Sequence, residues 1–183
     1  MKPVIGRRGS AEVRYRERRA LAYATAEALV RTDLPAACEL RPIEPSALHA
    51  FAECWDGLPA RRYAWPWGDI AAEFRRNHPD RFEVAVWSGG ALCGLAIGRV
   101  SAGPLYCGVN FLEGCPGQHP LRGFIVGIVI ATAEAYAVAI GKGAVRLIDP
   151  LPDLVPLYAK YGYSLASPRR ESPYCWKMAE NGP

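Results

Sequence analysis

The residue order predicts an α/β (α+β) fold: a mixed, twisted sheet of about six to seven strands flanked by helices, with an extra helix at the N-terminus. Three observations carry this. After the N-terminal helix, segments of strand and helix character follow one another as β-α-α-β-β-β-α-β-α-β-β. The run Phe124–Ile140 is apolar almost throughout, as a helix buried at the centre of such a fold must be. Near the C-terminus, Leu157–Tyr163 reads as the last turns of a helix, a glycine stop and an aromatic residue opening a strand.

The first section, residues 1–33, reads as a basic helical extension to a main domain over residues 34–183. Ser10 is a candidate N-cap, and Ala11–Val30 is rich in Ala, Arg, Glu and Leu without a proline or glycine. Over residues 1–32 the basic side chains are Lys2, Arg7, Arg8, Arg14, Arg16, Arg18, Arg19 and Arg31, against Glu12, Glu17 and Glu27. That is an excess of five in a chain whose net charge is +4, so the remainder is close to neutral. Such a helix attracts polyanions, which makes nucleic acid a partner to test. The competing expectation is a solvated face whose Leu21, Ala24, Ala28 stripe packs on the domain.

The main domain opens with a strand over 38–43, a turn capped by Ser46 and a helix over 47–55. An aromatic connection, 56–68, leads to a second helix over 69–77. Phe82–Trp87 and Ala91–Val100 form a hairpin about Ser88-Gly89-Gly90, and Pro104–Leu112 supplies a third antiparallel strand. The apolar helix covers about 120–140, and Ala144–Ile148 is a buried strand behind Gly141-Lys142-Gly143. A short helix over 153–161 and strands near 163–166 and 174–178 complete the order.

Composition excludes several classes. The six cysteines are scattered, and no two form a C-x-x-C pair, so no metal site is expected and a reducing cytoplasm is the default compartment. Met1–Ser10 is basic and followed by no apolar run, so no cleavable signal is expected. The apolar run is short for a bilayer and carries Glu134, so it is assigned to the core and no membrane partner is expected. No Ser-His-Asp arrangement or phosphate-binding lysine loop is present.

The stretch Leu157-Tyr158-Ala159-Lys160-Tyr161-Gly162-Tyr163 resembles the L-Y-x-K-x-G-[FY] signature of GCN5-related N-acetyltransferases, and the order of elements over residues 38–178 is similar to theirs. The resemblance implies acetyl-coenzyme A as co-substrate, a primary amine as acceptor, and Tyr158 as the acid that protonates the departing thiolate. In that family the loop before the central helix reads [QR]-x-x-G-x-[GA] and holds the pyrophosphate. Two registers fit here. From Gln118, Leu121 replaces the central glycine and Gly123 ends the motif; from Arg122, Ile125 replaces it and Gly127 ends it. Pro120 favours the first, the distance to Gly141 the second, and both stay open. Expected cofactor contacts are Phe111, Leu112, Gln118, His119, Leu121, Arg122, Gly123 and Phe124.

For the acceptor, the resemblance places a proton-accepting carboxylate near Glu113, with Glu83 and Asp149 as weaker candidates. Tyr106 and Asn110 alternate on the same strand. Tyr63, Trp65 and Trp67, around Pro66, form an aromatic wall suited to a binding cleft, with Arg61 and Arg62 available to an acidic substrate. The family's asparagine seven residues before the signature tyrosine is Leu151 here. That departure and the missing glycine sustain an alternative: a catalytically degenerate relative acting as a binding or regulatory module. A second copy of the chain is a further candidate partner.

Overall fold

In a computed structural model, which describes residues 7–179, the expected order is present with one strand divided in two. The elements are α1 (Arg7–Val30), β1 (Glu39–Arg41), α2 (Pro45–Cys54), α3 (Trp67–Asn77), β2 (Phe82–Ser88), β3 (Ala91–Gly98), β4 (Tyr106–Val109), β5 (Phe111–Gly114), α4 (Ile125–Ala139), β6 (Ala144–Ile148), α5 (Val155–Lys160), β7 (Ser164–Ala166) and β8 (Tyr174–Met178). A 3-10 turn, Pro152–Leu154, leads into α5.

The strands form two four-stranded sheets, ordered β1-β2-β3-β5 and β4-β6-β8-β7. Every pairing is antiparallel except β4 with β6, where Tyr106 to Val109 run parallel to Ala144 to Leu147. The single strand expected over 104–112 breaks at Asn110. Its amide donates to the Ile97 carbonyl (3.0 Å) and its side-chain carbonyl accepts from the Arg99 amide (2.8 Å), so Asn110 belongs to neither ladder. Before it the chain pairs with β6; after it, with β3. Where β3 ends beside β4, a Cβ on Gly98 would lie 1.9 Å from the Gly108 carbonyl oxygen, so only glycine allows the strands to cross this closely.

Helices α2 and α3 cover one face of the first sheet, burying Trp55, Trp67 and Phe74 against Ala85, Leu95 and Ile97. Helix α4 covers the other face, and its apolar surface meets both sheets at Val84, Val86, Val109, Val145 and Leu147. None of the described helices is long and apolar enough to cross a membrane.

Several boundaries differ from expectation for local reasons. Helix α2 begins at Pro45, whose missing N–H suits the first helical position, so Ser46 lies inside the helix rather than capping it. Helix α4 begins at Ile125, not near residue 120, because Gly123 takes φ +88°, a left-handed value that ends any helix there. Helix α1 already runs from Arg7, so Ser10 is internal.

The packing face of α1 is also not the expected one. Leu21 is 54% exposed, and Ala24 and Ala28 also face outward. The buried positions are Arg19, Ala22, Tyr23 and Ala26, at helical i, i+3, i+4, i+7 spacing. Arg19 donates to the carbonyls of Pro79 and Arg81, both at 3.2 Å, and pairs with Glu12 at 2.6 Å. Arg81 reaches Glu12 (3.0 Å) and Glu83 (2.7 Å), and the Tyr23 hydroxyl donates to the Glu83 carbonyl (2.6 Å). Hydrophobic patterning misses a seam built on a buried guanidinium. The same network takes Glu83, 1% exposed, out of contention as a reacting group.

Candidate active site

The parallel pairing of β4 with β6 ends at Val109 and Leu147. Beyond that pair β5 turns to β3, while β6 runs on into Asp149-Pro150. The strands part, and the gap is a cavity of about 270 Å³. Asn110, Phe111 and Leu112 line it from the β5 side and Tyr63 and Trp65 from the α2–α3 connector. Ile148 to Leu151, Leu154 and Tyr158 line it from the other side. Seven of the candidate site residues picked out in the sequence therefore meet in one cleft: Tyr63, Trp65, Asn110, Phe111, Leu112, Asp149 and Tyr158.

Tyr158 is fixed by the end of its own helix. Gly162 takes φ +84°, the Tyr163 amide donates to the Tyr158 carbonyl (3.2 Å) and the Gly162 amide to Ala159 (3.0 Å), the bond pair of a Schellman stop. The ring is 6% exposed and lines the cavity, and no hydrogen bond ties its hydroxyl to another described residue. Burial, then the Cys175 and Asp153 charges, push the phenol up to about 12, so near neutral pH it is a proton donor.

The connector wall is an aromatic stack. Tyr63 lies over Trp65 with ring centroids 5.2 Å apart and planes 18° apart, and Trp65 meets Phe111 edge-on at 5.3 Å. Trp67 does not share this wall. It opens α3 fully buried, and its indole donates to Glu113 at 2.7 Å. Glu113 also accepts from Arg61 Nε (2.8 Å) and Nη2 (3.2 Å), so its carboxylate is held by a fork and an indole. The hydrogen bond to Glu113 in turn raises the Arg61 guanidinium above its ordinary value. Arg61 and Arg62, read from sequence as available to an acidic substrate, are both engaged internally: Arg61 with Glu113 and Asp56, Arg62 with Asp153 at 2.8 Å. Tyr106 lies outside the cleft, its ring 4.1 Å from the Arg146 guanidinium. It and Asn110 do not meet, because the break at Asn110 interrupts the alternation.

The start of α4 is the helix entry to which the sequence assigns the pyrophosphate. No side chain caps the helix, which leaves the amides of its first turn available. The helix starts three residues after Arg122, which matches the register Arg122-x-x-Ile125-x-Gly127. Ile125, standing where the family has glycine, is 5% exposed and turns toward the sheet, where a Cβ on Gly94 would be 2.7 Å from its Cγ2. Gly94 and Gly114 thus accommodate the larger side chain on the sheet side. Arg122 is exposed, with no ion pair among the described residues. Gln118, Gly123 and Phe124 are exposed around it, whereas Leu121 is fully buried as the anchor of the turn. His119 keeps a buried, unpartnered Nδ1, and burial followed by the Arg122 charge lowers its pKa. Leu151, at the family's asparagine position, lines the cleft, and its carbonyl accepts from the Leu154 amide (2.9 Å).

No protein-family model matches the sequence, and no curated protein matches it in sequence. Solved structures do match it in shape. Ard1 from Thermoplasma volcanium aligns with a TM-score of 0.57 at 13% identity, over 79% of this chain and 99% of that one. The aminoglycoside 6'-N-acetyltransferase from Enterococcus faecium gives 0.54 at 16%, over 79% and 98%. The PaiA N-acetyltransferase from Thermoplasma acidophilum, in complex with coenzyme A, gives 0.53 at 13%, over 77% and 98%. The chain has the fold of the GCN5-related N-acetyltransferases.

Proposed function

We propose that the protein transfers an acetyl group from acetyl-coenzyme A to a primary amine by direct attack. One observation carries the reading: the cleft where β4 and β6 part contains a buried, unpartnered phenol, Tyr158, and α4 begins nearby with uncapped amides and a free Arg122. The chemistry of acetyl transfer needs these parts. A pyrophosphate requires N–H donors and a cation, which the first turn of α4 and Arg122 supply. A thioester arm requires a slot with exposed strand edges, which the parted strands provide. A leaving thiolate requires an acid that is still protonated at working pH, and Tyr158 meets that condition.

The aromatic connector would orient the acceptor, since the faces of Tyr63 and Trp65 attract an ammonium group. The test is thiol release from acetyl-coenzyme A over a panel that includes spermidine, an aminoglycoside and a peptide with a free N-terminus. Release with one of them supports transfer. Tight acetyl-coenzyme A binding without release from any acceptor favours the degenerate binding module instead. The cofactor half of the proposal has its own check: Arg122→Glu puts like charge against the phosphates and weakens acetyl-coenzyme A binding about tenfold. Calorimetry should show this with the melting temperature unchanged, and equal affinity in the variant rejects the assignment of Arg122.

A further inference from the structure

The transfer proposed above needs a neutral amine, because an ammonium has no lone pair with which to attack a thioester. The carboxylate that the sequence offers first for this work is Glu113. In the structure it accepts from Arg61 Nε and Nη2 and from the Trp67 indole, and it does not line the cleft. A carboxylate saturated in this way must break bonds to gain a proton.

The structure places a second carboxylate where β6 ends. Asp149 lines the cleft with Tyr158 and Asn110, and its side chain has no hydrogen bond or ion pair with any described residue. Its backbone is unusual: φ is +52°, the one positive value among the described non-glycine residues. A left-handed conformation is disfavoured for residues that carry a Cβ, least so for Asn and Asp, which suits the aspartate found here. Here the Asp149 amide donates to the Pro173 carbonyl at 2.8 Å and Pro150 follows, so the chain is pinned on both sides. That turn brings a charged side chain to the rim of an aromatic cleft, without a partner.

We propose that Asp149 is the catalytic base of the acetyl transfer: it binds the acceptor's ammonium group and removes its proton. This rests on the acetyltransferase reading. The carboxylate takes one proton from the ammonium and passes it to solvent, which frees the nitrogen lone pair. The amine forms a C–N bond to the thioester carbon, and the C–S bond breaks as the carbonyl re-forms. The thiolate takes the Tyr158 proton. The second proton lost by nitrogen restores that phenol, so the sum is ammonium plus thioester giving amide, thiol and one released proton. The other ionisable groups facing the cavity are the phenols of Tyr63 and Tyr158, and Asp153 beside it is paired with Arg62.

Asp149→Asn is the informative variant, because Asn tolerates a positive φ while lacking a basic carboxylate. Asp149→Gly keeps the turn and removes the side chain altogether. With an alkylamine such as spermidine, both variants should lose on the order of 10²-fold in kcat, with acetyl-coenzyme A affinity unchanged. Hydroxylamine, already neutral at neutral pH, needs no base, so both variants should use it at the parent's rate. Raising the pH should restore part of the spermidine rate as free amine accumulates. Parent-like turnover of spermidine by Asp149→Asn overturns this assignment alone. An equal loss with spermidine and hydroxylamine also overturns it, leaving Asp149 a merely structural turn. The comparison is made with whichever alkylamine of the panel the parent acetylates, and a parent that binds acetyl-coenzyme A yet acetylates none of them, nor hydroxylamine, overturns the transfer reaction and the base together.

Discussion

On the connector side of the cleft, Glu113 accepts three hydrogen bonds, Arg61 is shared between two carboxylates, and the Trp67 indole has its acceptor. On the β6–α5 side, Tyr158 and the exposed Asp149 line the cleft, and neither side chain has a hydrogen-bond or ion-pair partner among the described residues. Each side carries an acid and a hydrogen-bonding aromatic residue, although Glu113 and Trp67 are not among the residues that line the cleft, so composition does not distinguish the two sides. Satisfaction does. A fully paired carboxylate fixes shape, because exchanging a proton would cost its existing bonds. An unpaired one leaves its lone pairs to a substrate.

If that division is right, substitutions on the two walls should fail in different ways. Tyr158→Phe keeps the ring and its packing, so the melting temperature should hold while kcat falls by on the order of 10²-fold, about 2.7 kcal/mol of transition-state stabilisation. A Phe variant as fast as the parent would make Tyr158 a core aromatic and erase the contrast. Glu113→Ala should do the reverse. It strands the Arg61 fork and the Trp67 indole, costing about 2 kcal/mol, or roughly 4–8 °C in melting temperature for a chain of this size. Loss of turnover without loss of stability would move Glu113 to the chemical wall. The smallest effect is an expected constancy in pH. The phenol is active when protonated, and its pKa is displaced upward to about 12, so the acid is lost only as pH rises toward that value. Turnover should therefore not decline between about pH 9 and 10.5, where an ordinary phenol ionises. A falling limb there would show that Tyr158 is less shielded than its burial implies.

The cleft was legible in the sequence to the extent that it depends on local chain chemistry. The Tyr158 turn follows from a glycine stop and its neighbours, and the succession of strands and helices that flank the cleft follows from the residue order. What escaped reading depends on contacts between distant segments. The Arg61–Glu113 pair spans 52 residues, and nothing local marks Arg61 as internally engaged rather than substrate-facing. The start of α4 carried two conflicting signals, Pro120 and the distance to Gly141, and the helix itself begins at Ile125, after the positive φ of Gly123. Ile125 looked like a defect in a phosphate loop until Gly94, thirty-one positions earlier, proved to make room for it. The face of α1 was misread because a periodicity argument looks for leucine and alanine, and the buried residue at its centre is Arg19.

That buried arginine has a consequence for how the chain is made. Helix α1 leaves the ribosome well before α4, the helix it lies along, which begins at Ile125, ninety-five positions after Val30. At about 5–20 residues per second, α1 waits on the order of ten seconds for that partner. Arg81 and Glu83 also emerge some fifty residues after α1 is complete. A seam of leucines exposed for that interval would invite association with other nascent chains. A seam centred on a guanidinium stays hydrated until Glu83 arrives to take it out of water, so the contact that finally locks the extension is also one that tolerates the delay.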